Sequence, residues 1–256
     1  MSFWASQSFG AATPDEVWLE NLTWPEVRDL VAAGKTVAIV PTGGTEQNGP
    51  HMVLGKHNFI LANTAKRIAE QLGNALVAPV MPYVPEGDIE PPSGHMRWAG
   101  TLSLPEPVFA AVLGATARSL RAHGFTLICF LGESGGNQAT QQTVADALNA
   151  EWANTDARVL HVGDYYDNNG QMAWLLEQGE TEASVGGHAG IRDTSEVMAA
   201  RPTGVRLDRL AEGKEGGFDI SGVDGDPTRA SAARGEVLLQ LKVDAAVRQI
   251  RAALAD

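Results

Sequence analysis

Acidic, histidine and glycine residues collect in a few short stretches of this sequence. The stretches are residues 41–58, 93–104, 132–137, 187–195 and 222–235, and closely spaced glycines recur in them. Carboxylates and imidazoles are the side chains that most often move protons in enzymes. Glycine lets the backbone approach a ligand closely. The pattern predicts one reactive site assembled from distant parts of the chain.

Alternating strands and helices are predicted to position these stretches. Apolar runs typical of buried strands cover residues 36–40, 75–80, 126–131 and 158–162. Helical spacing covers residues 24–34, 58–72, 105–123, 138–154, 194–201 and 237–254. This order predicts an α/β fold with a mainly parallel central sheet flanked by helices, formed as a single domain over residues 1–256. Ligands bind beyond the carboxyl ends of such strands, where residues 41–58 and 132–137 begin.

Composition excludes several classes of partner. The chain has 256 residues and a formal net charge of −12, and its basic residues are scattered, so a nucleic-acid partner is not expected. No apolar stretch is long enough to span a membrane. The single cysteine, Cys129, allows neither an intrachain disulfide nor a zinc site built from several cysteines. Residues 1–5 lack the basic start and apolar core of a signal peptide, so a cytoplasmic location is expected.

A long loop is predicted over residues 82–103, because proline and glycine recur along it. Long loops in compact domains are often functional. His95 in this loop can contact a substrate or only hydrogen-bond the loop itself, and Trp98 is a candidate gate.

Together and in this order, the five stretches resemble the creatininase (creatinine amidohydrolase) family. The resemblance runs from about residue 20 to the C-terminus and rests on Glu46-Gln47, on Gly135-Gly136-Asn137 and on the motif at residues 188–195. It implies an α/β fold, a two-metal site at the strand ends and hydrolysis of C–N bonds in cyclic amides and related formamides. It also implies a homo-oligomer, often a hexamer.

The resemblance carries over metal ligands only in part. Glu46 is retained, but Asn48 and Ser134 stand where the family has histidines, His57 replaces its bridging aspartate, and Asp193 replaces a glutamate. A neutral imidazole offers one free nitrogen to one metal, so His57 cannot bridge two ions. We therefore expect one divalent ion, zinc or manganese, held by Glu46, His57 and Asp193, while a metal-free site stays open as an alternative.

Further roles follow from the same alignment of motifs. His188, Glu133 and Asp193 are the expected catalytic residues. Asp193 could equally cap the helix predicted from residue 194, and His57 could cap the helix predicted from residue 58. The expected substrate-binding residues are Asn48, His95, Trp98, Ser134, Gly135, Gly136 and Asn137. The N–H groups of residues 135–137 could stabilise an oxyanion, or these residues could simply form a tight turn.

The resulting functional hypothesis is a hydrolase that opens a small polar cyclic amide or a related carbonyl compound by water attack. One alternative is cleavage of a C–C bond in a cyclic polyhydroxy ketone, or isomerase or lyase chemistry on the same fold. A second alternative is a pseudo-enzyme that binds a small molecule without catalysis. The expected partners are a small-molecule substrate and further copies of the chain.

Overall fold

A computed structural model describes residues 16–255 of the chain. In chain order these residues form α1 (Trp24–Ala32), β1 (Val37–Thr42), α2 (Lys56–Leu72), β2 (Ala75–Val77), α3 (Glu106–Ala122), β3 (Leu127–Gly132), α4 (Gly135–Glu151), β4 (Arg158–His161), α5 (Gln171–Glu177), α6 (Glu182–Val185), α7 (Ile191–Ala200), α8 (Leu210–Lys214), α9 (Gly217–Ser221) and α10 (Ala232–Ala255). The segment on which the signal-peptide prediction rests, residues 1–5, lies outside the described residues. Between residues 16 and 255, no helix combines the length and apolar character needed to cross a bilayer.

Within residues 16–255 the strands form one parallel sheet in the order β2-β1-β3-β4. The two central strands are aligned over their full lengths, with Val37 beside Leu127 and Thr42 beside Gly132. Both strands are completely buried, as their continuous apolar sequences predict for a sheet covered on two faces. The predicted α/β fold with a parallel sheet is therefore confirmed, and β1 and β3 end side by side.

Alternate residues of the strands enter two different cores. On one face, Ile39 and Cys129 pack against α2 and α10. On the other face, Val40 and Phe130 pack against α3 and α4. Removing a fully buried aromatic ring such as that of Phe130 typically costs about 3–5 kcal/mol. These two layers hold the ends of β1 and β3 in fixed positions relative to the surrounding helices.

A close contact joins α7 to α10. Gly235, near the start of α10, lies against α7 so tightly that a Cβ atom there would be 1.9 Å from the Ser195 carbonyl oxygen. Glycine is needed at this position because the helix backbone approaches its neighbour directly. The contact fixes the placement of α10 relative to α7.

Four helices, α2, α4, α7 and α10, begin earlier than predicted, and the shifts of the first two affect residues expected at the site. Helix α2 begins at Lys56, so that His57 lies inside its first turn. Helix α4 begins at Gly135, so residues 135–137 form its first turn rather than a loop. Glycine disfavours helix interiors, which is why the pattern predicted a loop there. The Asn137 amide nitrogen donates to the Thr42 carbonyl oxygen at 2.9 Å and ties this turn to the end of β1.

Candidate active site

A cavity of about 350 Å³ opens at the carboxyl ends of β1 and β3. The acidic, basic and histidine residues of its lining are Glu46, Lys56, His57, Glu86, His95, Glu133, His188, Arg192, Asp193, Glu196 and Lys242. All the predicted metal and catalytic residues are therefore brought to one cavity. The predicted substrate-binding residues His95, Ser134, Gly135 and Gly136 line it as well.

Glu46 is the centre of the charged cluster and is only 2% exposed. Its Oε1 atom accepts from His57 Nε2 at 2.7 Å and lies 3.1 Å from Lys56 Nζ. Its Oε2 atom lies 3.2 Å from His95 Nε2. Burial raises the pKa of Glu46, but Lys56 and His57 outweigh that effect and hold the pKa well below its usual value. Glu46 is therefore an anion surrounded by nitrogen atoms.

Lys56 is a buried cation that the sequence analysis did not assign to the site. Its ammonium lies between two predicted metal ligands, 3.1 Å from Glu46 Oε1 and 2.8 Å from Asp193 Oδ2. Burial lowers the pKa of Lys56, but the Asp193 and Glu46 carboxylates outweigh it and raise the pKa above its usual value. A divalent ion between Glu46 and Asp193 would have to displace this ammonium. The assignment of Glu46, His57 and Asp193 as one ligand set stays a prediction with this contact against it.

Asp193 is held in place from two sides. Besides Lys56, its Oδ2 atom accepts from the Ala189 backbone nitrogen at 2.8 Å. Asp193 is the third residue of α7, whose N-cap position is occupied by Gly190, so the predicted N-cap role is corrected to a first-turn position. A carboxylate is still favourable there because the first-turn N–H groups carry partial positive charge.

Glu46, His95 and His188 form a candidate metal site. One potential ligand atom from each lies within 4.8 Å of the others. The His188 Nε2 atom lies 3.0 Å from the Gln47 carbonyl oxygen, to which it donates, and this leaves Nδ1 facing Glu46 Oε1 at 3.7 Å. Two imidazoles and one carboxylate are a known ligand set for catalytic zinc and for other divalent ions.

The protonation states in this trio suit a metal. Burial, with a contribution from Lys56, lowers the pKa of His188 to about 3. Burial also lowers the pKa of His95. Both rings are therefore neutral at pH 7, as metal ligands must be, while Glu46 is ionised. The donor set present in this chain fits one divalent ion at this position.

Glu86 was not identified from the sequence, because it lies in the long loop with no motif around it. The residue is 4% exposed, and its Oε1 atom is buried with no hydrogen-bond partner in the described residues. Burial and the neighbouring Glu46 carboxylate raise the pKa of Glu86 to about 10. In the metal-free protein Glu86 is therefore a neutral acid beside an ionised one.

A second buried cluster lies at another wall of the cavity. Lys242 Nζ lies 2.5 Å from Glu133 Oε1 and 3.6 Å from Glu196 Oε2. Tyr165 donates a hydrogen bond to the second Glu133 oxygen, and Gln171 donates one to Glu196. Of these residues only Glu133 was predicted. Lys242 could have been found as a single charge within the apolar stripe of the C-terminal helix.

Three predicted substrate-binding residues lie outside the cavity lining. The Asn48 amide donates to the Glu46 and Val53 carbonyl oxygens. The Asn137 amide donates to the Thr42 carbonyl oxygen at the carboxyl end of β1. Both side chains therefore hold backbone near the site, and the substrate contacts expected of them stay predictions. Trp98 packs edge-on against Phe218, with a centroid distance of 5.3 Å. Its predicted role as a gate is untested.

The parallel α/β sheet carries at its strand ends a histidine and carboxylate cluster of the kind that binds metal ions in enzymes. The family model Creatininase, described as creatinine amidohydrolase, matches residues 20–250, so the chain belongs to this family. The predicted creatininase-family hydrolase is thereby confirmed at the level of family and enzyme class.

Similar proteins agree with this placement. Creatinine amidohydrolase from Pseudomonas putida is 28% identical over 92% of this chain and 96% of its own length. A mycofactocin precursor peptide peptidase from Mycobacterium tuberculosis is 28% identical over 83% of each chain. Solved structures of a manganese creatininase and of a Zn–Zn type creatininase mutant superpose with TM-scores of 0.76 and 0.73. Each is 25% identical and covers 93% of this chain and 98% of its own.

Proposed function

We propose that this protein is a hydrolase that opens a small polar cyclic amide or a related carbonyl compound with the help of one divalent metal ion. The observation that carries the proposal is the trio Glu46, His95 and His188, which presents one anionic and two neutral ligands to the same cavity. The named activities of the relatives, an amidohydrolase and a peptidase, support hydrolysis at a carbonyl carbon.

The buried ammonium of Lys56 supports a single metal rather than two. Its single positive charge already offsets part of the negative charge on Glu46 and Asp193, which lie 3.1 and 2.8 Å from it. A second cation between these carboxylates would bring two positive charges together in a buried site, which is strongly unfavourable. The family's two-metal arrangement is therefore replaced in this proposal by one metal and one lysine.

A divalent ion held by the trio would polarise a carbonyl oxygen and lower the pKa of a water molecule towards neutrality. The protein supplies the other requirements. His57 donates from Nε2 to Glu46, and within the described part of the chain its buried Nδ1 atom has no hydrogen-bond partner. His57 lines the cavity, and this nitrogen can take up or deliver a proton.

The first turn of α4 offers a place for developing negative charge. Gly135 and Gly136 line the cavity and lie at the start of a 17-residue helix. Backbone N–H groups in a first helical turn have no partner within the helix, and they carry the positive end of its dipole. An oxyanion formed at the substrate carbonyl would be stabilised by such groups.

Metal content is the first test. After chelation and reloading with zinc or manganese, elemental analysis of the wild-type protein should give about one ion per chain. His188→Ala should bind almost none, whereas the matched control His123→Ala, at an exposed helix end, should bind as the wild type does. A ratio near two, or an unchanged ratio in His188→Ala, would contradict the proposal.

Activity is the second test. Small lactams should be hydrolysed by the reloaded wild-type protein and the control, and not by His188→Ala. Full metal loading without turnover on any small carbonyl compound would favour the non-catalytic binding alternative.

A homo-oligomer, hexameric by family resemblance, and a cytoplasmic location remain predictions of the sequence.

A further inference from the structure

The second charged cluster, formed by Glu133, Glu196 and Lys242, lies on the same cavity as the proposed metal site but plays no part in it. Its three residues come from the end of β3, from α7 and from α10. Lys242 is 4% exposed, Glu133 is 4% exposed and Glu196 is 1% exposed. Three distant parts of the chain therefore place ionisable groups together at one wall of the cavity.

Packing alone does not require this cluster. Lys242 follows Leu238 and Leu239 by one helical turn and precedes Ala246 by another, so it interrupts an apolar stripe. Burying an ion pair involves a large desolvation penalty, and replacing such a pair by apolar residues is often neutral or stabilising. The charged residues at this wall are therefore better explained by what they bind.

An unsatisfied atom beside the cluster points to a ligand. His57 Nδ1 is buried without a hydrogen-bond partner among residues 16–255 and lies 4.0 Å from Glu133 Oε1. The His57 ring lines the cavity, and its Nε2 atom donates to Glu46. A buried polar atom of this kind is normally paired, so a group from a bound molecule is expected there.

The chemistry of the cluster selects the type of ligand. An ammonium provides donors, and the adjacent carboxyl oxygens provide acceptors. A hydroxyl group needs both at once. Lys242 and Glu133 also neutralise each other at 2.5 Å, so neither a carboxylate nor an ammonium on the ligand would find a free countercharge. A neutral molecule with hydroxyl groups suits this wall best.

We propose that Lys242, Glu133 and Glu196 bind hydroxyl groups on adjacent carbons of a neutral ring substrate whose carbonyl group faces Glu46, His95 and His188. This inference rests on the proposed function and narrows its substrate class to hydroxylated rings. It favours a cyclic polyhydroxy ketone or a hydroxylated lactam over an unsubstituted cyclic amide.

Binding of two neutral probes tests the inference without turnover. Ligand-observed NMR titrations would compare cyclohexane-1,2,3-triol with cyclohexanol on the zinc-loaded full chain. The triol should bind measurably more tightly than cyclohexanol to the wild-type protein. Lys242→Met should weaken triol binding by about tenfold, the effect of losing roughly one charge-assisted hydrogen bond. The matched variant Lys66→Met, at an exposed lysine, should bind the triol as the wild type does.

Equal binding of the two probes to the wild-type protein would overturn the inference, and so would unchanged triol binding in a folded Lys242→Met variant. Lys242→Gln keeps a donor without the charge and provides a second measurement if the Met variant unfolds. It should bind the triol more weakly than the wild type, and equal binding would count against the inference. Zinc content is measured in the same samples, so loss of the metal site is distinguished from loss of the hydroxyl site.

Discussion

The Lys56 ammonium lies 2.8 Å from the Asp193 carboxylate, and the two residues are separated by 137 positions in the chain. The same ammonium reaches Glu46 at 3.1 Å, so one side-chain cation joins two residues that the sequence predicted as metal ligands. The solved creatininase structures similar to this chain include a manganese form and a Zn–Zn form. In this chain, by contrast, a lysine lies between the carboxylates of Glu46 and Asp193.

Lys56→Met should destabilise the protein, because it leaves the buried Glu46 and the half-buried Asp193 without their shared cation. Removing one partner of a buried ion pair typically costs about 3 kcal/mol or more in the free energy of unfolding. Urea unfolding of metal-free protein would measure this loss. Zinc or manganese should restore more stability to Lys56→Met than to the wild type, because the freed carboxylates can bind it. An unchanged free energy of unfolding would show that the pair contributes nothing.

Glu86→Gln should change how stability depends on pH. The folded protein holds a proton on Glu86 up to pH about 10, whereas the unfolded chain releases it near its usual pKa of 4.5. Wild-type stability is therefore lost as the pH rises from 4.5 towards 10, and glutamine removes this contribution. Between pH 5 and pH 8, metal-free wild-type protein should lose more than about 1 kcal/mol relative to Glu86→Gln.

Urea unfolding of both proteins at the two pH values measures this difference. Glu106→Gln, at an exposed position, is the matched control and should follow the wild type. Parallel pH profiles for wild type and Glu86→Gln would mean that Glu86 is ionised in the folded protein.

Glu180→Gln should weaken the protein at neutral pH and not in acid. Hydrogen bonds from Arg229, with further help from Arg234, lower the pKa of Glu180 to about 2. The stabilisation is present above pH 4.5 and is lost as the pH falls from 4.5 to 2. We expect a cost of about 2 kcal/mol at pH 7 that shrinks towards pH 2, measured by urea unfolding. The exposed control Glu177→Gln should show neither effect, and a cost that persists in acid would rule out the charge as its origin.

Gly235→Ala should move α10 away from α7 or strain the contact between them. The added Cβ atom would be 1.9 Å from the Ser195 carbonyl oxygen, and backbone cannot yield as a flexible side chain can. Overpacking of this kind costs about 1–3 kcal/mol. Thermal unfolding would record the loss. Gly73→Ala, where a Cβ atom has free space but φ is +79°, separates steric overlap from backbone strain. Gly235 lies inside α10 and has no positive φ, so an unchanged melting temperature in Gly235→Ala would contradict the steric contact.

The sequence predicted the sheet well because β1 and β3 are continuous apolar runs, which few other structures can bury. The sequence also predicted that Glu46, His95, Glu133 and His188 belong to one site, and all four line the same cavity. The prediction succeeded because these residues lie in family motifs or in loops near the ends of the strands. The sequence could not predict Glu86 or Lys56 as members of the cluster. Their contacts depend on the path of a proline-rich loop and on side-chain packing across more than 100 residues, and neither leaves a local pattern.

A side-chain cation, unlike an ion that binds from solution, cannot dissociate from the protein. The charge on Lys56 is covalently tethered beside Glu46 and Asp193, so neither dilution nor a chelator can remove it. A bound ion, by contrast, leaves by mass action when its free concentration falls below its dissociation constant. On the proposed function, metal scarcity would therefore remove the activity, while Lys56 would still keep Glu46 and Asp193 from repelling each other. Binding of one ion would then restore the site.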